Sequence, residues 1–286
     1  MASSNHTRST SYPPQSNPIL RKVEDELTKL RKAEAESTSV TETICIGLTG
    51  LAKLYRCVDD VLSLPFLAHR TLSLLLAKHE TPLIEGSSRL LEICGASKEL
   101  LLKLLEAVRV FRCSNSEMNN VAEYFCLRKE IVKTSKGLAL QLRQVEESLV
   151  SRNDEFNESG NFEVIRVLRC VSIINVSVLE SLLRFLSMPL MSKSKSSSFG
   201  LISRLVVKKS KAVISEEKLA KNGNELSNVD VVLHALDGGE NFDCDIIKKK
   251  LEVLEVSLRG IEDGLNNILK QLARTRASLM KIVCVC

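Results

Sequence analysis

The sequence contains no tryptophan, and aromatic residues make up only 4% of its 286 residues. Glycine and proline are also scarce, with 12 and 6 residues respectively. A β-rich domain needs aromatic and β-branched strands with frequent Gly- and Pro-containing turns, so the composition disfavours one. The same scarcity excludes a collagen-like chain, and a hydrophobic content of 44% excludes disorder throughout. The sequence therefore predicts an all-α protein, long enough to bury a sizeable core of Leu, Val and Ile.

The sequence also lacks the short motifs that carry most enzyme chemistry. It has no glycine-rich phosphate loop, no G-x-S-x-G nucleophile elbow and no CxxC pair. Its four histidines lie in separate contexts, and none pairs at the spacing of an HExxH zinc motif. We therefore predict a non-enzymatic protein with no catalytic residue, cofactor or metal site.

Charge, hydropathy and cysteine content set further bounds on the class of protein. Forty basic residues against 35 acidic ones give a net charge of +5, too mild to imply nucleic-acid binding. The uncharged stretch at 170–179 is too short to cross a bilayer. The nine cysteines are odd in number and mostly lie in helical patterns, which predicts free, buried thiols and a cytoplasmic protein.

Residues 1–18 form a tail rich in serine and proline that we predict to be disordered. Ser9 and Ser11, next to a basic residue, are candidate phosphorylation sites. The absence of acidic residues loosely resembles a plastid transit peptide, and no apolar stretch suits a secretory signal. We predict an intracellular, cytoplasmic protein, with a plastid or peripheral membrane location as the alternatives.

Apolar residues then recur at helical spacing through most of a domain that we assign to 19–286. The predicted helical segments are 20–30, 44–64, 69–78, 83–113, 121–149, 164–188 and 229–236, followed by the last helix from Ile247. Proline residues end the second and third segments. A Gly47–Gly50 spacing predicts either a close contact between helices or a kink.

The last helix has the most regular pattern. Its apolar stripe alternates spacings of four and three at Ile247, Leu251, Leu254, Leu258, Ile261, Leu265, Ile268, Leu272, Thr275, Leu279 and Ile282. This period is typical of a coiled-coil or bundle seam. Long helices with short turns predict an antiparallel bundle, and the seam could alternatively support self-association or contacts with protein partners.

Two segments interrupt the helical pattern. Residues 151–161 form a polar linker, and 192–211 form a serine-rich segment with six basic residues and no acidic one. The second segment could contact an anionic membrane or a partner through Arg204, Lys208, Lys209 and Lys211. Phosphorylation, with Ser196 and Ser197 as candidates, would then release it; the alternative is a solvated linker.

The terminal Cys284-Val285-Cys286 is a weak candidate for lipidation, since a C-x-C end resembles that of prenylated proteins. These cysteines also continue the apolar pattern of the last helix.

Adjacent carboxylates at Asp59 and Asp60 lie close to a predicted helix end, where negative charge is unfavourable. Neighbouring side chains on a helix point about 100° apart, so the two carboxylates cannot share one site. We expect a specific basic partner, with Arg89 or Lys53 as the candidates.

Several segments together resemble a plant-specific family of unknown function, the BYPASS-like proteins. They are His6 to Pro13, Leu54 to Pro65, Glu85 to Gly95, Arg128-Lys129, Leu179 to Ser187 and Arg274 to Leu279. The resemblance implies a helical protein with no known enzymatic activity or cofactor, linked to root and shoot development through control of a mobile root signal. We predict a regulatory or scaffold protein that acts through helix-mediated contacts; the alternative is a peripheral membrane protein held by 192–211.

Overall fold

The structure is a computed structural model that describes residues 18–63, 69–113, 121–150, 163–190, 224–238 and 244–284. Within these ranges the chain forms helices and no strand. They are α1 (Pro18–Glu36), α2 (Val40–Leu62), α3 (His69–Cys113), α4 (Val121–Val150), α5 (Glu163–Leu186), α6 (Glu225–Asp237) and α7 (Cys244–Cys284). The all-α prediction is confirmed.

The apolar stripe of α7 forms its buried face. All eleven stripe residues from Ile247 to Ile282 are buried, none of them more than 4% exposed. The predicted segment 83–113 also has a buried stripe, formed by Leu90, Cys94, Ser97, Leu101, Leu104, Val108 and Phe111. Burial of each Leu or Ile side chain contributes about 1.5–3 kcal/mol relative to an exposed position, so these stripes account for much of the driving force for folding.

The long helices form an antiparallel bundle. α7 packs against α2 and α3, while α4 lies between α3 and α5, and α1 lies on α2. Two contacts in each pair give the directions. Gly86 lies near Leu149 and Lys103 pairs with Glu130, so α3 and α4 run antiparallel. Gly50 lies near Leu30 and Asp60 pairs with Lys22, so α2 and α1 do as well. α2 and α7 are an exception: Leu48 contacts Gly264 and Asp59 contacts Thr275, so these two helices run parallel.

Glycines allow three of these helix contacts to be close. A Cβ added at Gly50 would lie 2.5 Å from Leu30, and one at Gly47 would lie 3.0 Å from Val178. The predicted role of the Gly47–Gly50 pair in helix contact is therefore confirmed, with α1 on one side and α5 on the other. On α7, a Cβ at Gly264 would lie 2.8 Å from the Leu48 side chain.

The helix boundaries differ from the predictions in several places, and two of the differences have a clear physical reason. α3 begins at His69 and continues through Pro82, where we predicted a break between 69–78 and 83–113. A proline removes one backbone hydrogen bond, and a helix can continue past it with a kink. α2 begins at Val40 instead of Ile44 because the Ser39 side chain caps it, accepting a hydrogen bond from the backbone N–H of Glu42.

Six cysteines in the described ranges are free thiols: Cys45, Cys57, Cys94, Cys113, Cys126 and Cys170. Cys57 and Cys94 are buried, and burial raises the pKa of the Cys94 thiol to about 12. The prediction of buried thiols is wrong for Cys113 and Cys126, which are exposed near the ends of α3 and α4 that adjoin the 114–120 connection.

No helix in the described ranges is both long enough and apolar enough to cross a membrane. The N-terminal tail, the linker at 151–161 and the basic segment at 192–211 lie outside the described residues.

Candidate functional site

One buried arginine joins three helices at the end of the bundle. The side chain of Arg128 on α4 is fully buried, and its Nη2 lies 2.9 Å from Oδ2 of Asp230 on α6. It also donates to the backbone oxygens of Leu186, at 3.1 Å, and Met188, at 3.3 Å, at the end of α5. Tyr124 donates to the same carboxylate over 2.7 Å. We call these five residues the closed arginine centre.

The closed arginine centre supplies hydrogen-bond donors that the end of α5 lacks. The last carbonyls of a helix have no partner within that helix, and Arg128 supplies donors for those at the end of α5. Aromatic contacts surround it, with the rings of Tyr124 and Phe125 at 5.5 Å and those of Phe125 and His234 at 4.4 Å. Burial raises the pKa of Tyr124 well above its ordinary value, so its hydroxyl remains a donor. This geometry fixes helix positions.

A second buried carboxylate joins α2 to α7. Oδ1 of Asp59 accepts a hydrogen bond from the Thr275 hydroxyl over 2.6 Å, and Oδ2 lies 3.2 Å from Nε of Arg274. Burial raises the pKa of Asp59, while Thr275 and Arg274 act in the opposite direction. The adjacent Asp60 is exposed and lies 3.3 Å from Lys22 of α1.

The prediction that Arg89 or Lys53 pairs with Asp59 or Asp60 is therefore wrong. Arg89 forms an ion pair with Glu85 on its own helix, at 2.7 Å, and is not a partner of Asp59 or Asp60. The sequence pattern identified the need for a partner. It did not identify the parallel contact of α2 with α7, which brings Arg274 to Asp59.

A third polar contact joins α2 to α5. The buried Asn175 amide donates to the Tyr55 hydroxyl over 2.8 Å, and burial raises the pKa of Tyr55. A cavity of about 10 Å³ lies nearby, lined by Tyr55, Ser87 and Thr275 among others. Its size suits a single water molecule. A groove of about 360 Å³ lies on the outside, between α1 and α2.

The second arginine site lies where α3 packs against α7. The Glu255 carboxylate, 4% exposed, accepts from Nε of Arg109 at 3.2 Å and from Nε of Arg259 at 3.1 Å. Arg112 places its Nη2 3.2 Å from the other carboxylate oxygen. Hydrogen bonds from these arginines, Arg259 first, lower the pKa of Glu255. We call Glu255 and the three arginines the open arginine cluster, because the arginine side chains are 37–54% exposed.

The open arginine cluster carries an excess of positive charge. Glu255 and the exposed Glu106, which lies 3.9 Å from Arg109, provide two negative charges against three guanidinium groups. Each guanidinium also has five N–H donors, and the hydrogen bonds given above use a minority of them. Among the described residues, Nε of Arg112 is buried without a hydrogen-bond acceptor.

The residues predicted as sites from the sequence, except Cys284, belong to segments that the structure does not describe. Ser9, Ser11, Ser196, Ser197, Arg204, Lys208, Lys209, Lys211 and Cys286 fall outside the described residues. Cys284 is the last residue of α7. Within the described ranges, no group of three or more His, Cys, Asp or Glu side chains could hold a metal ion.

Sequence reasoning missed both arginine sites, although it contained partial signals. Arg128 occupies an apolar stripe position of α4, which is a signal that the arginine is buried. Arg109 and Arg112 are three residues apart on α3, and Glu255 and Arg259 are four apart on α7, which predicts neighbours on each helix. No pattern in the sequence indicates that the two pairs meet.

Comparison with known proteins gives the family. No curated protein and no solved structure matches the chain. The family described as Protein BPS1 matches residues 47–282, which covers α3 to α6 completely, most of α2 and nearly all of α7. That range also contains all four residues of the open arginine cluster and the closed arginine centre. Because the match spans most of the chain, the protein belongs to the BPS1 family, in agreement with its BYPASS-like segments.

Proposed function

We propose that the protein is a non-enzymatic regulatory or scaffold protein of plant development that acts through protein contacts on the surface of its helices. Membership of the BPS1 family suggests a role in plant development. The observation that supports a scaffold is that buried and exposed polar groups make different kinds of contact. Interior ones such as Arg128, Asp59 and Asn175 join helices to each other, while the open arginine cluster faces outwards.

Exposed aliphatic side chains also lie on the two helices that carry this cluster. Val110 on α3 is 48% exposed, and Val256 on α7 is 66% exposed. Exposed aliphatic side chains are typical of protein interfaces, in which an apolar centre is combined with charged contacts.

Rescue of plants that lack the protein tests this proposal. We expect the full-length variant Val110→Ser/Val256→Ser to fold with unchanged unfolding free energy and to fail to restore normal root and shoot growth. The matched control is Leu140→Ser on α4, which removes an equally exposed aliphatic group, 61% exposed, from another face and should restore growth. Full rescue by the valine variant would contradict the proposal.

The second candidate is a peripheral membrane protein that is held by the basic segment 192–211 and linked to a mobile root signal. The sequence observation that favours it is six basic residues without an acidic one. Co-sedimentation of the full-length protein with vesicles containing phosphatidylserine should then require Lys208, Lys209 and Lys211. Equal binding by a variant with these three lysines changed to Glu would exclude this anchor.

A further inference from the structure

The small cavity beside Tyr55 lies where four helices meet. Five polar residues line it: Tyr55 of α2, Ser87 of α3, Ser172 of α5, and Thr275 and Arg276 of α7. The remaining lining residues are aliphatic. Tyr55, Ser87 and Thr275 are each no more than 7% exposed. The cavity is therefore a buried polar site in an otherwise apolar part of the bundle.

Two of the lining residues have a hydrogen-bond donor that is not used. The Tyr55 hydroxyl accepts from the Asn175 amide over 2.8 Å, and its own proton has no acceptor among the described residues. Within the same part of the chain, Nε of Arg276 is buried without a hydrogen-bond partner. A buried donor without an acceptor destabilises a fold, so both groups favour a ligand that accepts hydrogen bonds.

Three hydroxyl oxygens around the cavity have the opposite property. Ser87 and Ser172 each donate their proton to a backbone oxygen of their own helix, at 2.7 and 2.9 Å. Thr275 donates its proton to Asp59 at 2.6 Å. Each of these oxygens has used its only donor and retains lone pairs, so it can bind a ligand that donates.

Water is the small ligand that satisfies both groups of residues. A water molecule can donate two hydrogen bonds and accept two. A cation would offer no acceptor to Tyr55 or Arg276, and a simple anion would offer no donor to the three hydroxyl oxygens. The cavity volume of about 10 Å³ is also about what one water molecule needs.

We propose that this cavity binds one structural water molecule that joins α2, α3, α5 and α7. The water accepts hydrogen bonds from Tyr55 and Arg276 and donates to two of the three hydroxyl oxygens. It connects the polar contact between α2 and α5 to the one between α2 and α7, so that two separate contacts become one network. The inference concerns the interior of the bundle and does not depend on the proposed scaffold function.

A high-resolution crystal structure of the full-length protein tests the identity of the ligand directly. We expect electron density for one water molecule at about 2.7–3.2 Å from the Tyr55 hydroxyl and from the Thr275 hydroxyl oxygen. Absence of density in the cavity, or density for an ion there, would overturn the proposal.

Two buried serines on α3 test whether the water contributes to stability. Ser87 lines the cavity and Ser97 does not, and each donates its proton to a backbone oxygen of α3 over 2.7 Å. Both Ala variants lose that local hydrogen bond, but only Ser87→Ala removes an acceptor from the water. In urea denaturation, we expect Ser87→Ala to lower the equilibrium constant for folding by about fivefold or more, and Ser97→Ala by less than about twofold. Equal losses in the two variants, or a larger loss for Ser97→Ala, would overturn the role of the water as a link between helices.

Discussion

Both arginine sites of the bundle pair guanidinium groups with a buried carboxylate, but they differ in the burial of the arginines and in net charge. In the closed arginine centre, one fully buried arginine faces one carboxylate, a tyrosine hydroxyl and two backbone carbonyls. In the open arginine cluster, three partly exposed arginines face one carboxylate. In the first site the charges of Arg128 and Asp230 cancel, and the guanidinium donates its hydrogen bonds to groups of the protein. The second leaves positive charge and guanidinium donors at the surface, so the two sites differ in their ratio of arginine to carboxylate.

The largest effect is expected where the charge is fully buried. Asp230→Asn leaves the Arg128 guanidinium without a counter-ion in the interior. Removing one partner of a buried ion pair costs about 3–5 kcal/mol, so the unfolding free energy should fall by that amount in urea denaturation. The control is Glu130→Gln, which breaks an exposed pair with Lys103 at 3.0 Å and should cost less than about 1 kcal/mol. Equal losses in the two variants would contradict the structural role of the closed arginine centre.

The same contrast between interior and surface applies to glycines. Gly264→Ala places a methyl group 2.8 Å from Leu48, so we expect a loss of about 2 kcal/mol from overpacking. Gly137→Ala on α4 has no atom within 4 Å and should gain about 0.5–1 kcal/mol from helix propensity. Thermal unfolding of both variants measures the difference, and a stabilised Gly264→Ala would show that α2 and α7 are not in close contact.

Adjacent carboxylates provide a third comparison. Asp59→Ala removes the acceptor of the Thr275 hydroxyl and should cost about 1–2 kcal/mol. Asp60→Ala removes an exposed pair with Lys22 and should change stability by less than about 0.5 kcal/mol. Urea denaturation of the two variants gives both values. A larger loss at Asp60 would mean that its contact with α1 matters more than the contact of α2 with α7.

Among the buried carboxylates, the smallest expected effect belongs to Glu255 and depends on pH. Its pKa is lowered from the ordinary 4.5 by the arginines, so its contribution to stability is present above that pH and is lost as pH falls through the folded-state pKa. Glu255→Gln should therefore cost about 1 kcal/mol at pH 7, and the difference from wild type should shrink below pH 4.5. Unfolding measured from pH 7 to pH 3 checks this. A difference that grows in acid would contradict the lowered pKa.

The sequence predicts the buried faces well because they depend on local period. The stripe of α7 follows from spacing alone, and even its polar member Thr275 is buried at the predicted position. The rule that a proline ends a helix gave a wrong boundary at Pro82, because one missing hydrogen bond does not end a long helix.

The candidate site was less predictable because it depends on which helices are neighbours. Local spacing predicts that Arg109 and Arg112 share a face, yet only the packing of α3 against α7 brings them to Glu255. In the same way, the parallel contact of α2 with α7 brings Arg274 to Asp59 in place of the partners expected from the sequence. Long-range pairing of this kind leaves no period in the sequence.

The most direct test of the comparison is the unfolding free energy of two full-length variants, Arg128→Gln and Arg112→Gln/Arg259→Gln, measured side by side in urea. The structure predicts a loss of about 3 kcal/mol or more for Arg128→Gln, because Asp230 then lies buried without its counter-ion. It predicts a loss of less than about 1 kcal/mol for the double variant, because Arg109 still pairs with Glu255. If the double variant is as unstable as Arg128→Gln, the open arginine cluster stabilises the fold as much as the closed arginine centre does, which would contradict the comparison.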